Sequence, residues 1–479
     1  MAPQRILVLD PFPPMPDRNS GGRRLFEILK LLREEHHEVT FVPQHAVFPE
    51  YFPAMQRLGV RVDTGAAGQA IDQSTFRRLL AGRHFDTVVL CFYSLAKEFL
   101  PLCRELFPNA RLIVDTVDLH FVRELRQAQI SGDSTLLEKA QTTRIEELDT
   151  YRQADSLWAI TPTEQDLLLQ ELPDADVSVV PNIHDVSPHV TPFSHRDGLL
   201  FVGNFWHTPN LEGVLWFCQE VLPIVRQQLP ELTTRIVGNA APEGLKQLAP
   251  LGVEVLGWVP NIDSLLSTSR LSIAPLLHGA GMKGKVGEAL AAGLPVVTTS
   301  IGSEGMGLKH GHNVLVADNA TAFASAIVLA YRNPDLWQML AVNGVAHMEA
   351  NYTPGAIRSA LRRALTPAAQ YLGIPDWSDA STVKRVVDAY IRRFEASGDE
   401  SSLILGVVGG DMNAAAASLT TWIAELGHDI STIPDVELRP MTDADLRAAD
   451  ASMIWVPMSG RKPEQLTEVE TFCPVDSVR

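Results

Sequence analysis

Gly279-Ala280-Gly281-Met282-Lys283-Gly284-Lys285-Val286-Gly287-Glu288-Ala289-Leu290-Ala291-Ala292-Gly293-Leu294-Pro295-Val296-Val297 is the most informative stretch of this chain. Small residues from Gly279 to Gly284 make a loop. A short helical pattern follows and stops at Gly293, and Pro295 leads into a β-branched run at 296–299. The order is loop, helix, turn, strand. Free backbone N–H groups at a helix start attract anions. Lys283 and Lys285 add two ammonium groups at the same end, so the predicted site suits a diphosphate. Glu288 lies one turn further in, where a carboxylate repels phosphate but accepts hydrogen bonds from a vicinal diol such as a ribose. Diphosphate and ribose together are the chemistry of a nucleotide-sugar. The competing reading is a βα turn whose glycines serve packing alone.

Outward from this stretch, apolar strands alternate with helices. The first series of predicted strands is 6–9, 39–42, 60–62, 87–91, 112–115, 156–160 and 177–180. A Pro-rich loop at 11–16 and the pair Gly21-Gly22 precede a helix whose apolar positions are Leu25, Phe26, Ile28, Leu29, Leu31 and Leu32. A second series runs through 199–202, 234–238, 253–256, 271–274, 296–299 and 314–316. Between the two, residues 182–196 are polar and aperiodic and read as a linker. Such alternation implies an α/β fold of two parallel sheets covered on both faces, with ligands beyond the carboxyl ends of the strands. The expected organisation is a Rossmann-like domain at 1–190, a second at 191–365 whose last helix is 354–365, and an acidic α/β appendage at 376–479. In the appendage, helices at 383–394 and 413–426 and strands at 402–408 and 452–456 look like a Rossmann-like unit that stops early. No Gly-rich phosphate loop is visible in it.

The length of 479 residues suits two to three domains, and the net charge of −17 argues against a nucleic-acid partner. The acidity is uneven: residues 396–479 hold 14 acidic and five basic side chains, more than half of the net charge. Four cysteines, Cys91, Cys103, Cys218 and Cys473, have no metal-like spacing and read as small apolar residues in a reducing compartment. No apolar run is long enough to span a bilayer, and the first residues run directly into a strand with no signal-peptide pattern. The expected location is the cytoplasm.

Residues 279–297 resemble the donor-binding motif of retaining glycosyltransferases of family four, which have the GT-B fold: two Rossmann-like domains facing across a cleft. The resemblance extends in order over roughly residues 1–365. It implies that Lys283 and Lys285 stabilise the leaving diphosphate, that Glu288 holds the ribose, and that Gly281 lets the loop approach the donor. The family's motif has two glutamates eight positions apart. Glu288 matches the second, whereas Ala280 stands at the first. Gly21 and Gly22 match a Gly-Gly pair that brings backbone to the diphosphate, although any tight turn before a helix also uses glycine. Gly203 and Asn204 match a strand-end loop of the second domain, with His207 further along. Gly257 and Trp258 match the loop facing the nucleobase, where Trp258 either stacks or packs. Ser303 and Glu304 follow the motif's strand and are expected to shape the donor pocket. At 115–124 the family has a His-Asp pair at a strand end. Here Asp118 matches the Asp, Val117 takes the His place, and His120 is a substitute two positions on, so Asp118 and His120 join the lysines as catalytic candidates, with Arg123 beside them.

The resemblance implies sugar transfer with retention to a glycan, lipid-linked sugar or small-molecule hydroxyl. It implies no cofactor and no metal, and the donor region has no Asp-x-Asp motif. A lipid-linked acceptor would bring the protein to the inner face of the membrane, and the acidic appendage is a candidate surface for a protein partner, dispensable for donor binding. The rival readings are a GT-B nucleotide-sugar epimerase and a non-catalytic nucleotide-sugar binder, the latter raised by Ala280 and Val117.

Overall fold

The computed structural model describes residues 3–65, 69–187 and 189–366, and beyond them 370–373, 377, 379–394, 402–408, 411–428, 436–441 and 454–455. The chain divides into two compact units, Met1–Ala364 and Leu365–Arg479.

In the first unit, seven parallel strands form one sheet. They are β1 (Arg5–Asp10), β2 (Glu38–Pro43), β3 (Arg61–Val62), β4 (Thr87–Cys91), β5 (Arg111–Asp115), β6 (Ser156–Ala159) and β7 (Val177–Val179), in the order β3-β2-β1-β4-β5-β6-β7. Ile6, Leu7, Val8 and Leu9 are all buried, because helices cover both faces of the sheet and leave no side of β1 for polar residues. Val8 sits in register between Phe41 and Val89. Six parallel strands form the second sheet: β8 (Leu199–Val202), β9 (Thr234–Val237), β10 (Val253–Gly257), β11 (Leu271–Ala274), β12 (Val296–Thr298) and β13 (Leu315–Val316). Their order is β10-β9-β8-β11-β12-β13. Both orders reverse direction once, between β1 and β4 and between β8 and β11. A parallel sheet opens a crevice at such a switch point, so the loops after β1, β8 and β11 are where a ligand has room.

Local chemistry sets the helices that reach these crevices. Asn19 caps the helix Ser20–Glu34 by accepting the Gly22 N–H at 2.6 Å. Its apolar stripe of Leu25, Ile28, Leu29 and Leu32 is buried, and so is Arg24. The Arg24 guanidinium donates to Asp115 Oδ2 at 2.6 Å, and to the Val180 carbonyl from Nε at 3.0 Å and Nη2 at 2.7 Å. One buried cation therefore ties the first helix to the ends of β5 and β7. The helix Pro354–Leu365 returns from the second sheet to the first: Arg358 pairs with Glu34 and Glu35, Arg362 pairs with Glu35, and the Trp158 indole N–H donates to the Ala364 carbonyl at 3.3 Å.

The second unit holds four parallel strands, β14 (Gln370–Gly373), β15 (Ser402–Val408), β16 (Val436–Met441) and β17 (Ile454–Trp455), in the order β16-β15-β14-β17. The helices Ala380–Phe394 and Met412–Glu425 bury Val383, Val387, Ile391, Leu419 and Ile423 in a core shared with Leu403 and Leu405. Two of the strands, β14 and β16, are absent from the sequence expectation. The four residues of β14 are too few to show a period, and β16 reads Val-Glu-Leu-Arg-Pro-Met, where a proline argues against a strand.

Cys91, Cys103 and Cys218 are buried free thiols, whereas Cys473 lies outside the described residues. Among the described residues no helix is long and apolar enough to cross a membrane.

Candidate active site

A cavity of about 560 Å³ opens between the carboxyl ends of the two sheets of the first unit. That volume is in the range of sites for drug-sized ligands. Its walls come from both sheets. Gly21 and Arg23 follow β1, and Val117 and Asp118 follow β5. Gly203, Asn204 and His207 follow β8, Trp258 follows β10, and Ala280 to Lys285 with Glu288 follow β11.

The floor is the helix Gly284–Ala291, whose N-terminal position Lys283 supplies no side-chain cap. The orphan N–H groups of its first turn are therefore available to a ligand. Lys283 is almost fully buried, and its ammonium donates to the carbonyls of Ala280 at 2.8 Å and Gly281 at 2.6 Å. Lys285 donates to the Asn210 carboxamide oxygen and stands 4.5 Å from the centroid of the Phe201 ring. Neither lysine has a carboxylate within salt-bridge range, unlike Arg23, Arg24, Arg123 and Arg126 around the same cleft. Burial brings Lys283 down to about 8, against the pull of Glu304 and Glu164, and burial with the neighbouring charge of Lys283 brings Lys285 down to about 7. Both ammonium groups are thus cations held at a cost, which a diphosphate would offset.

A pH dependence follows with a definite sign. An anion favours the protonated lysines and raises their pKa, so binding near neutral pH takes up protons. Affinity for a nucleotide-diphosphate-sugar is expected to be full below pH 7 and to fall as pH rises through 7 and then 8. Calorimetry at pH 7.5 in buffers of different ionisation enthalpy should show proton uptake. Proton release, or affinity flat from pH 6 to 9, would contradict the assignment.

The loop before the helix needs its glycine. Gly281 has φ +70, and a Cβ there would lie 3.1 Å from the Asp118 Cβ and 3.4 Å from the Val117 carbonyl. Its N–H donates to Glu164 Oε1 at 2.9 Å. Glu164 is buried, and desolvation together with the charge of Asp118 pushes its carboxyl up to about 7. Behind the same loop, Arg126 donates to the Gly279 carbonyl at 2.6 Å and grips Glu304 with both Nη atoms at 2.6 and 2.7 Å. The first sheet's helices therefore hold the loop of the second from behind.

Val117 has φ +60, a left-handed conformation that is costly for a β-branched residue. The turn it makes presents Asp118 to the cavity. Asp118 pairs with Arg123 and accepts from His120 Nε2 at 3.1 Å. Burial pushes its carboxyl up, but the His120 hydrogen bond and the charge of Arg123 outweigh burial and hold it at about 2. Asp118 is thus a fixed anion and not a base poised near neutral pH. His207, brought down to about 4 by burial and by the charges of Arg123 and Lys285, is neutral.

Glu288 lines the cavity and accepts from Arg23 Nη1 at 2.9 Å, a pair that spans the cleft. Trp258 is partly exposed and donates its indole N–H to the Asp17 carbonyl at 3.4 Å. Six of the residues singled out in the sequence are not among the cavity lining: Gly22, His120, Arg123, Gly257, Ser303 and Glu304. His120 acts on Asp118, and Glu304 is engaged by Arg126. Ser303 donates within its own helical turn, to the carbonyls of Thr299 and Ser300. The lining residues Arg23, Asn182, His184 and His278 are absent from the expected site set, and so is Glu164 behind the loop. Among the described residues, no group of three or more His, Cys, Asp or Glu side chains is placed to hold a metal ion.

Two facing Rossmann-like halves joined by a return helix define the class: the fold is GT-B. It is similar to that of a sucrose-phosphate synthase from Thermosynechococcus elongatus, with 16% identity, 74% of this chain and 96% of that chain covered, and a TM-score of 0.61. It is also similar to Anabaena HepE in complex with UDP and glucose, with 16% identity, 76% and 99% coverage, and a TM-score of 0.55. A variant of S. aureus TarM in complex with fondaparinux, alpha-GlcNAc-glycerol and UDP gives 10% identity, 76% and 100% coverage, and a TM-score of 0.59. Within the fold, residues 196–333 match the family model described as Glycosyl transferases group 1. Over 177 residues the chain is 30% identical to an uncharacterized 44.6 kDa protein in the cps region of Klebsiella pneumoniae. That match covers 35% of this chain and 45% of that protein, so the chain spans less than half the length of the curated relative it matches.

Proposed function

We propose that the protein transfers a sugar from a nucleotide-diphosphate-sugar to an acceptor hydroxyl, on a glycan, a lipid-linked sugar or a small molecule. The observation that carries this reading is the pair of buried lysines, without carboxylate partners, at the open N-terminus of the helix Gly284–Ala291. The family match over residues 196–333 contains this segment. The UDP in the neighbouring HepE and TarM structures supports a nucleotide donor.

The reaction breaks the bond between the sugar's anomeric carbon and the diphosphate oxygen and forms one to the acceptor oxygen. The acceptor's proton passes to the leaving phosphate oxygen. Retention of configuration follows when both events occur on one face of the sugar, and no enzyme nucleophile is required. Charge grows on the diphosphate as its bond breaks, so Lys283, Lys285 and the helix N-terminus bind the transition state more tightly than the donor. Asp118, fixed as an anion, is suited to the positive charge that develops on the sugar ring. His120 and Arg123 position that carboxylate. No metal or cofactor enters this scheme.

Glu288 takes the ribose diol, with Arg23 as its counter-charge. Glu288→Ala is expected to weaken binding of donor and free nucleoside diphosphate by about 10- to 100-fold, the loss of a charge-assisted hydrogen bond. Titration calorimetry on the folded variant measures this, and unchanged affinity would remove Glu288 from the site. A second reading, a binder that does not turn over, is favoured by Val117 and Ala280 in the lining. Donor consumption with release of nucleoside diphosphate separates the two.

A further inference from the structure

Asn182 lies in the segment that the sequence presents as a linker, yet only 3% of its surface is exposed, and it lines the cavity. Neither Nδ2 nor Oδ1 has a hydrogen-bond partner. A carboxamide offers two donors and an acceptor, and proteins seldom bury one with none of them used. Its surroundings show what it faces. A Cβ built on Gly284, the first residue of the floor helix, would lie 3.4 Å from Asn182 Nδ2, 2.9 Å from Ser20 Oγ and 2.3 Å from the Ser20 Cβ. Only glycine permits this approach. Ser20 is itself the first residue of the helix Ser20–Glu34. Two helix N-termini, one from each sheet, therefore meet at one point of the cavity wall, and the unused amide of Asn182 lies beside them. Both helix ends favour negative charge, and Asn182 adds N–H donors without adding a carboxylate.

We infer that Asn182 is a diphosphate-binding residue: its Nδ2–H donates to a phosphate oxygen held between the two helix N-termini. This inference rests on the donor-site reading above and adds a contact from the interdomain segment. It makes that segment part of the ligand's seat as well as the covalent joint between the halves, so a bound diphosphate touches both helix ends and the chain that connects them. The free protein holds the amide buried and unpaired, and the ligand satisfies it.

The test measures binding of UDP, GDP, ADP and dTDP to the wild type by calorimetry, then repeats the tightest with Asn182→Ala and Asn182→Asp. Asn182→Ala should bind that nucleotide about tenfold more weakly. Its melting temperature without ligand should be unchanged or higher, because the variant no longer buries an unpaired amide. Asn182→Asp keeps the shape but sets a carboxylate against the diphosphate, so it should bind more weakly still. Affinity for the corresponding nucleoside should be the same in all three proteins. Equal diphosphate affinity in wild type and both variants overturns the inference. So does an Asn182→Ala variant of lowered melting temperature with nucleoside and diphosphate weakened equally, which is the mark of a packing role. A wild type that binds none of the four nucleotides overturns the donor-site reading itself.

Discussion

Lys285→Met is expected to lower kcat for sugar transfer by about 100-fold or more, with a much smaller change in the KM for donor, because the ammonium acts most strongly on the charge that grows on the diphosphate as the glycosidic bond breaks. The same substitution should leave the fold intact and raise the melting temperature. Lys285 keeps its charge at a cost, its pKa brought down to about 7 by burial, and its one hydrogen-bond partner is the neutral Asn210. Methionine fills similar volume against Phe201 and carries no charge to desolvate. Opposite effects on turnover and stability are the signature of a residue kept for chemistry. Lys283→Met should also reduce turnover, but with a loss of stability, since the Lys283 ammonium ties down the carbonyls of Ala280 and Gly281. Steady-state kinetics and thermal melts of the two variants check this. Full activity in both would reject the charge-stabilising role.

The largest effect on stability is expected from Arg24→Ala, about 3–5 kcal/mol. Arg24 and Asp115 are each 1% exposed and pair at 2.6 Å, and Asp115 Oδ1 already lacks a partner. Removing the guanidinium leaves a buried carboxylate with no cation and frees the Val180 carbonyl as well. Asp10, pushed up to about 7 by burial with a smaller contribution from the charge of Asp115, lies in the same cluster. The double substitution Arg24→Met with Asp115→Asn should recover much of the loss, because most of the penalty belongs to the stranded charge. Denaturant midpoints of wild type, single and double variants measure this directly. A single variant within 1 kcal/mol of wild type would contradict the buried-pair account.

The legible parts of the fold are those whose signals are local. The stretch 279–297 carries its own punctuation: glycines for the loop, a short apolar helix, Gly293 to stop it and Pro295 before a β-branched strand. The structure has a helix at Gly284–Ala291 and a strand at Val296–Thr298 there. The paired arginines show what was legible but easily passed over. Arg24 shares an i, i+4, i+7 stripe with Ile28 and Leu31 and is buried, whereas Arg23 shares one with Glu27 and Lys30 and faces the cleft. Helical phase alone therefore separates a structural arginine from a cleft arginine. Its partner Glu288, 265 residues away, is beyond any local signal. Glu164 has the spacing of a helix cap, with its N–H bonded to Thr161 Oγ1, and only the assembled fold gives its carboxylate a second task on Gly281. Glu304 follows the motif strand and looks like a pocket residue, but Arg126 reaches it from the other half. In the sequence, Pro181-Asn182 resembles the family's Pro-Asn-Gly hinge segment, with Ile183-His184 in place of the glycine, but nothing local shows that the Asn182 side chain is buried. Its burial depends on where two helices from different sheets meet.

The most direct test of the central claim is equilibrium binding of UDP-, GDP-, ADP- and dTDP-sugars to the wild type and to the Lys283→Met/Lys285→Met double variant by titration calorimetry near pH 7. The account predicts saturable one-to-one binding of at least one donor to the wild type with proton uptake, and binding at least about tenfold weaker in the double variant. A folded wild type that binds none of the four classes, or a double variant that binds the donor as well as wild type does, would contradict it.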